Sequence, residues 1–210
     1  MNLADKRFIV FEGIDGCGKS TQAKLLTERL NLVGIPVHLT AEPSSRPIGK
    51  MIRDIFAHRM EADERTIAAL FVADRLDHVI NHEEGIRTKL EQGFTVICDR
   101  YYLSSYAYQG SLVPLDWVMK ANALSVELAK PALHIFIDIP VELSMERISK
   151  SRAQLEPYET HENLVRVRAA YLKVIELLKN EDHIVTIDGT QSIDWIAEQI
   201  WKAVEEVSSL

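Results

Sequence analysis

The sequence predicts an α/β protein: a five-stranded parallel sheet flanked by helices on both faces. Three observations carry that prediction. Short apolar runs rich in β-branched residues alternate with longer segments of helical period. Several of the runs are apolar throughout, as strands covered on both faces are. A glycine-rich segment follows the first run and opens the first helical segment.

Strands are predicted at Arg7–Glu12, Pro36–Ala41, Phe94–Asp99, Leu133–Ile139 and His183–Ile187. Between the second and third, Ile48, Met51, Ile52, Ile55 and Phe56 follow the i, i+3, i+4, i+7, i+8 spacing of one helical stripe. Further helices are predicted over Lys19–Leu32, Asp63–Asn81, Gly85–Gln92, Pro114–Ala129, Val141–Ser149, His161–Leu178 and Ile193–Val207. Such alternation implies right-handed crossovers between parallel strands. The segment Ser149–Thr160, SKSRAQLEPYET, lacks an apolar period and is expected to be a short mobile lid on a single domain spanning 1–210.

A chain of 210 residues is long enough for one large core. Acidic residues outnumber basic ones, 31 to 24, which argues against a broad nucleic-acid surface. Phosphorylated small molecules remain open, since a few convergent Arg and Lys bind them locally. The segment MNLADKRFIVFEG has no secretory pattern, and the apolar stretches Phe8–Phe11 and Leu133–Ile139 are too short to span a bilayer. Cys17 and Cys98 do not make a disulfide framework. A reduced, cytoplasmic protein with no membrane or nucleic-acid partner is expected.

The residues Gly13-Ile14-Asp15-Gly16-Cys17-Gly18-Lys19-Ser20 match G-x-x-x-x-G-K-[ST], the P-loop, in its strand-to-helix context. Glycines let backbone N–H groups turn in on phosphate oxygens, and the helix N-terminus adds positive potential. Lys19 is expected to bridge the outer phosphates of a bound nucleotide, with Thr21 next in the loop and the Ser20 hydroxyl on Mg²⁺. Asp99, ending a neighbouring strand, is expected to hold the same ion through water. A P-loop does not name the acceptor. None of the six asparagines begins the N-K-x-D guanine motif of a GTPase. His78 and His82 stand four apart, but Val79 replaces the glutamate a zinc-protease motif needs.

Acceptor candidates lie downstream. Phe71 and Arg75 are spaced i, i+4 on one predicted helix, so that a ring to stack on a base and a guanidinium to bond its edge can share a pocket. Arg100 follows a strand end, which in an open parallel sheet points into the binding crevice. Arg53, at the far end of the Ile48–Phe56 helix, is either a second phosphate ligand or a solvated helix charge. The ordered series AEP (Glu42, Pro43), LFVADR and CDRYYLSSYAYQG, after FEGIDGCGKST and before TIDGTQS, resembles the thymidylate kinase family over essentially the whole chain.

That resemblance implies the P-loop kinase fold, a homodimer, and phosphoryl transfer from ATP to dTMP with Mg²⁺. It assigns the thymine contacts to Phe71 and Arg75, and the acceptor phosphate to Arg100. Glu42, Pro43, Ser104 and Gln109 fall within its acceptor series. Asp15 is associated with the sugar 3′-hydroxyl, and Tyr108 crowds the 2′ position. Tyr158 with Glu159 matches a pair that folds over the acceptor. Some family members carry a P-loop arginine where Gly16 stands here; the others supply lid cations, for which this chain offers Arg147, Lys150 and Arg152. Arg152 is the expected principal one, with Arg147 on the nucleotide phosphates, although Pro157 falls where such relatives often have another arginine. A deoxynucleoside kinase would typically read Asp-Arg-Ser where Asp99-Arg100-Tyr101 stands. A regulatory ATP-binding protein would not need the acceptor series.

Overall fold

The structure, a computed structural model, describes residues 7–151 and 158–208. Five strands, β1 (Phe8–Glu12), β2 (Val37–Ala41), β3 (Thr95–Asp99), β4 (Leu133–Asp138) and β5 (Ile184–Asp188), form one parallel sheet in the order β2-β3-β1-β4-β5. Nine α-helices accompany it among the described residues. They are α1 (Lys19–Leu32), α2 (Pro47–Phe56), α3 (Glu64–Ile80), α4 (Ile86–Glu91), α5 (Tyr102–Tyr108), α6 (Leu115–Leu128), α7 (Val141–Ser151), α8 (His161–Leu178) and α9 (Ile193–Ser208).

Burial follows position in the sheet. All five residues of β1 are buried, and β3 and β4 are buried except at their last residue. The edge strands β2 and β5 are only partly covered. The unbroken apolar runs FIVFE and LHIFID therefore belong to central strands, as a sheet covered on both faces requires. Strand periodicity divides β1 between two layers. Phe8 meets the Tyr101 ring edge-on, and Glu12 bonds Ser104 and Tyr171, so this side faces α5 and α8. Helices α1 and α9 pack on each other, α1 contacting β1 and α9 contacting β4 and β5.

Local sequence sets the helix starts. Asp63 caps α3 by accepting from Arg65 N at 2.9 Å, Thr160 caps α8 by accepting from Asn163 N, and Pro47 opens α2. Helix α5 has no counterpart in the apolar periodicity: all seven of its residues are buried, so no polar face marks it. Ser149–Ser151, within the expected lid, continue α7, and Tyr158–Thr160 lead into α8. The centre of that segment, with Arg152 and Pro157, lies outside the described residues.

Helix α2 is docked through Gly49. A Cβ there would stand 2.0 Å from the Ser44 carbonyl oxygen. Ser44 cannot retreat easily, because its N–H and hydroxyl donate to the buried Asp74 carboxylate at 2.7 and 2.6 Å. Gly49→Ala gains about 1 kcal/mol of helix propensity. The overlap with backbone is expected to outweigh that gain, for a net loss of at least about 1 kcal/mol. The check is a lower urea midpoint at unchanged m-value. A wild-type midpoint would show that the Ser44 turn yields.

Candidate active site

The site lies at the carboxyl ends of the central strands, where open parallel sheets bind ligands. Phe11 pairs with Asp99 across β1 and β3, so the P-loop and the Asp99-Arg100 segment leave the sheet side by side. Gly13 has φ +142°, and a Cβ there would meet the Ile137 carbonyl oxygen at 2.6 Å. The turn into the loop therefore requires glycine. Lys19 is buried and donates to the carbonyls of Gly13 and Ile14, each at 3.0 Å.

A crevice of about 560 Å³ runs along Asp15–Gln22, with Asp99, Arg100, Arg147, Gln191 and Ile193 also on its wall. Ser20 Oγ donates to Asp99 Oδ2 at 2.5 Å at its rim. These two hard oxygen groups suit Mg²⁺, which takes few protein ligands beside phosphates. Among the described residues no group of three or more His, Cys, Asp or Glu could hold a metal. Arg147 donates to Cys17 O and Gly189 O, and Gln22 Nε2 donates to Ile193 O at 2.9 Å. The TIDGTQS segment thus closes the far wall. Both cysteines are buried and free, and burial pushes both thiols up.

A second cavity, of about 260 Å³, adjoins the first. Its wall includes Asp15, Pro43, Arg53, Phe56, Phe71, Arg100, Ser104, Tyr108, Gln109 and Tyr158. Phe56, Phe71 and Tyr158 form an aromatic flank, with Phe56 at 6.1 Å from Phe71 and 5.2 Å, edge-on, from Tyr158. Tyr158 is tied across to α3 by donating to Glu64 at 2.6 Å. Arg53 is half-buried and donates to the carbonyls of Pro43 and Ser44, so its guanidinium is part of the cavity wall rather than a solvated charge.

Arg100 joins the two cavities. Its backbone is left-handed, φ +74°, an arrangement costing on the order of 1–3 kcal/mol outside glycine. The surroundings hold it there. Its N–H donates to Phe11 O at 2.9 Å, and its guanidinium donates to Gly13 O, Ser104 Oγ, Tyr171 OH, Asp15 Oδ1 and Tyr108 OH. Asp15 Oδ1 is closest, at 2.5 Å, and Tyr108 donates to Asp15 Oδ2 at 2.7 Å. Burial alone would raise the Asp15 carboxyl, but Arg100, Lys19 and these hydrogen bonds hold it at about 2.

Arg75 and Glu42 do not line the cavity. The Arg75 side chain lies behind the pocket wall and is 1% exposed, within 2.7 Å of Glu42. It also donates to Ser105, Asn122 and the Tyr101 carbonyl. Glu42 in turn meets His78 Nδ1 at 3.1 Å, and His78 Nε2 lies 2.8 Å from Thr40 Oγ1. The i, i+4 spacing does put Phe71 and Arg75 on one side of α3, but only Phe71 reaches the cavity. A guanidinium matched by a carboxylate can be buried, and an isolated one cannot.

Phe56, Glu12 and Tyr171 belong to the site without a functional signal in the sequence. Phe56 is one member of an apolar stripe. Glu12 stands directly before the P-loop, and Tyr171 comes from α8, far along the chain. Only folding brings Glu12 and Tyr171 together beneath Arg100.

Comparison with known proteins decides the lineage. The family model described as thymidylate kinase matches residues 11–200. A "Probable thymidylate kinase" of Thermococcus kodakarensis is 37% identical over 207 residues, covering 94% of this chain and 97% of that protein. The chain belongs to the thymidylate kinase family. A "Thymidylate kinase" of Thermosipho melanesiensis is 36% identical (94% and 97% covered), and one of Lacticaseibacillus casei is 34% identical (94% of each). Family membership makes the chain a nucleoside-monophosphate kinase, and two adjoining cavities are what a two-substrate phosphotransferase requires.

The Asp15 environment fixes a pH dependence of stability. A carboxyl held at about 2, against an ordinary 3.8, contributes stability that is full above pH 3.8 and lost as pH falls toward 2. Asp15→Asn is expected to remove that part of the acid limb in urea unfolding between pH 2 and 5. An acid limb superimposable on the wild type's would show that the Arg100 pairing does not stabilise the fold.

Proposed function

We propose that the protein transfers the γ-phosphoryl of ATP to dTMP, giving ADP and dTDP on the way to dTTP, as a cytoplasmic homodimer. One observation carries the reading: Asp15 and Arg100 stand in the walls of both cavities, so donor and acceptor phosphates can meet there without a covalent intermediate. The dimer rests on the family resemblance. The cytoplasmic setting rests on the paucity of cysteine. Among the described residues no helix is long and apolar enough to cross a membrane.

In this reading the P-loop amides from Gly13 to Thr21 cradle the phosphates of ATP, and Lys19 spans the outer ones. Ser20, with Asp99 through water, would hold Mg²⁺, which would neutralise charge on the donor phosphates. Arg100 and Arg53 grip the acceptor phosphate. Asp15 bonds the 3′-hydroxyl, and Tyr108 fills the space a 2′-hydroxyl would need. Phe71 stacks on the base, while Pro43, Ser104 and Gln109 shape the wall and Tyr158 covers it. The resemblance gives Arg75 the base edge, a bond for which it must release one of its internal acceptors. The acceptor oxygen is already ionised, so no strong general base is needed. Positioning and charge neutralisation do the chemistry, with Arg147 and Arg152 supplying the closing positive charge.

Purified protein with ATP and Mg²⁺ should convert dTMP to dTDP with one ADP per turnover, and should stop on chelation. Offering dUMP, dCMP, the ribonucleotide TMP and thymidine separately reads the base, sugar and phosphate requirements. Turnover of thymidine but not dTMP would overturn the monophosphate assignment. Arg152→Ala is expected to lower kcat roughly a hundredfold with little change in the KM for dTMP. An unchanged kcat would move that role to Lys150 or Arg147.

A further inference from the structure

Glu12 ends β1 directly beneath the acceptor cavity and is fully buried. Its Oε1 accepts from Tyr101 N at 3.0 Å. Its Oε2 accepts from Ser104 Oγ at 2.5 Å and from Tyr171 OH at 3.0 Å. Arg100 Nη1 donates to the same two hydroxyl oxygens, at 3.2 and 3.3 Å. The carboxyl and the guanidinium therefore share two hydroxyls without touching.

The charges around Glu12 leave it as the surplus. Arg100 faces it from the segment after β3, but is already in direct contact with Asp15. Arg75 acts on it from α3, but is in contact with Glu42. The Cys98 thiol on β3 and the Tyr171 hydroxyl on α8 are both pushed up by burial, and so stay neutral. On the β4 side the paired residue is the apolar Phe136. Burial raises the Glu12 carboxyl to about 7, against the lowering effect of its hydrogen bonds and Arg100.

A phosphate dianion placed at Arg100 adds like charge across the guanidinium and expels water from the cavity. Both effects favour the neutral carboxyl. We propose that Glu12 takes up a proton when the acceptor phosphate binds, acting as a positioning residue that leaves the Arg100 charge to the phosphate. The proton comes from solvent. Ser104 lines the cavity and bonds Glu12, so its Oγ receives that proton and passes its own to Oε2, giving a neutral acid. This inference rests on the acceptor assignment proposed above, and extends it.

The test is calorimetry of dTMP binding at pH 8 in buffers of different ionisation enthalpy. A phosphate monoester, with second pKa about 6, is already dianionic there. The wild type is expected to take up on the order of half a proton per site. Glu12→Gln, a neutral isostere, should take up almost none. In steady state the wild-type KM for dTMP should rise roughly fivefold from pH 7 to 8.5, with a smaller change in kcat, while E12Q stays flat. Wild-type binding without uptake, or equal uptake in E12Q, would overturn the proposal. Should E12Q fail to fold, Tyr171→Phe removes one donor to Oε2 and should move the break in KM to higher pH; an unmoved break counts against Glu12. Binding with uptake but no phosphoryl transfer would sink the transfer reading and leave Glu12 standing. Turnover without uptake does the reverse, and no dTMP binding overturns both.

Discussion

The site depends on holding one arginine in a backbone conformation it would not adopt alone. Arg100 is left-handed, and four parts of the active site contribute to keeping it so. β1 supplies the Phe11 carbonyl, the P-loop supplies Gly13 O and Asp15, and α5 supplies Ser104 and Tyr108. From α8, far away in sequence, comes Tyr171. Strain of this kind persists only where the surroundings over-determine it. The result is a guanidinium aimed at the point where the two cavities meet. A residue relaxed into the β or αR region would send its side chain elsewhere.

This explains why the central strands must be so completely buried. Arg100 can be held in place only if β1, β3 and β4 are fixed relative to one another. Apolar cover on both faces does that, with Ile9 paired to Ile97 and Leu133 in adjacent strands. Edge strands β2 and β5 carry less of the site and are less covered. Helices α2 and α3 hold the Arg53–Phe71 wall of the second cavity, and polar contacts add to an apolar packing in which Ile52, Ile67 and Val79 are buried. Ser44 is pinned by Asp74, and Arg46 pairs with Asp77.

What could be read in the sequence followed from local rules. The P-loop is a local turn whose glycines and lysine are adjacent, so its spacing survives without a structure. The strands at the sheet centre were visible because complete burial demands unbroken apolarity. Helix α5 failed the same logic: burial on every side erased the polar stripe that marks a helix. Phe56 looked like core because a cavity wall and a core use the same side chain. Nothing local marks the internal partners of Arg75, because Glu42 and Asn122 lie 33 and 47 residues away. Spacing along one helix says which side a residue is on, and not how deep the pocket reaches.

The two buried glutamates show how the same residue type acquires different work. Glu42 touches Arg75 and His78, so its charge is matched at contact distance, and Glu42 serves to brace α3 against β2. Glu12 receives only hydroxyl and amide donors, with the nearest cation one hydroxyl removed. In a medium of low dielectric that single intervening layer is decisive, because hydrogen bonds from neutral donors compensate a buried charge less than a contact ion pair does. A fully matched carboxylate makes a rigid strut. An incompletely matched one stays responsive to whatever charge arrives at Arg100, and it lies below the cavity where a phosphate would arrive.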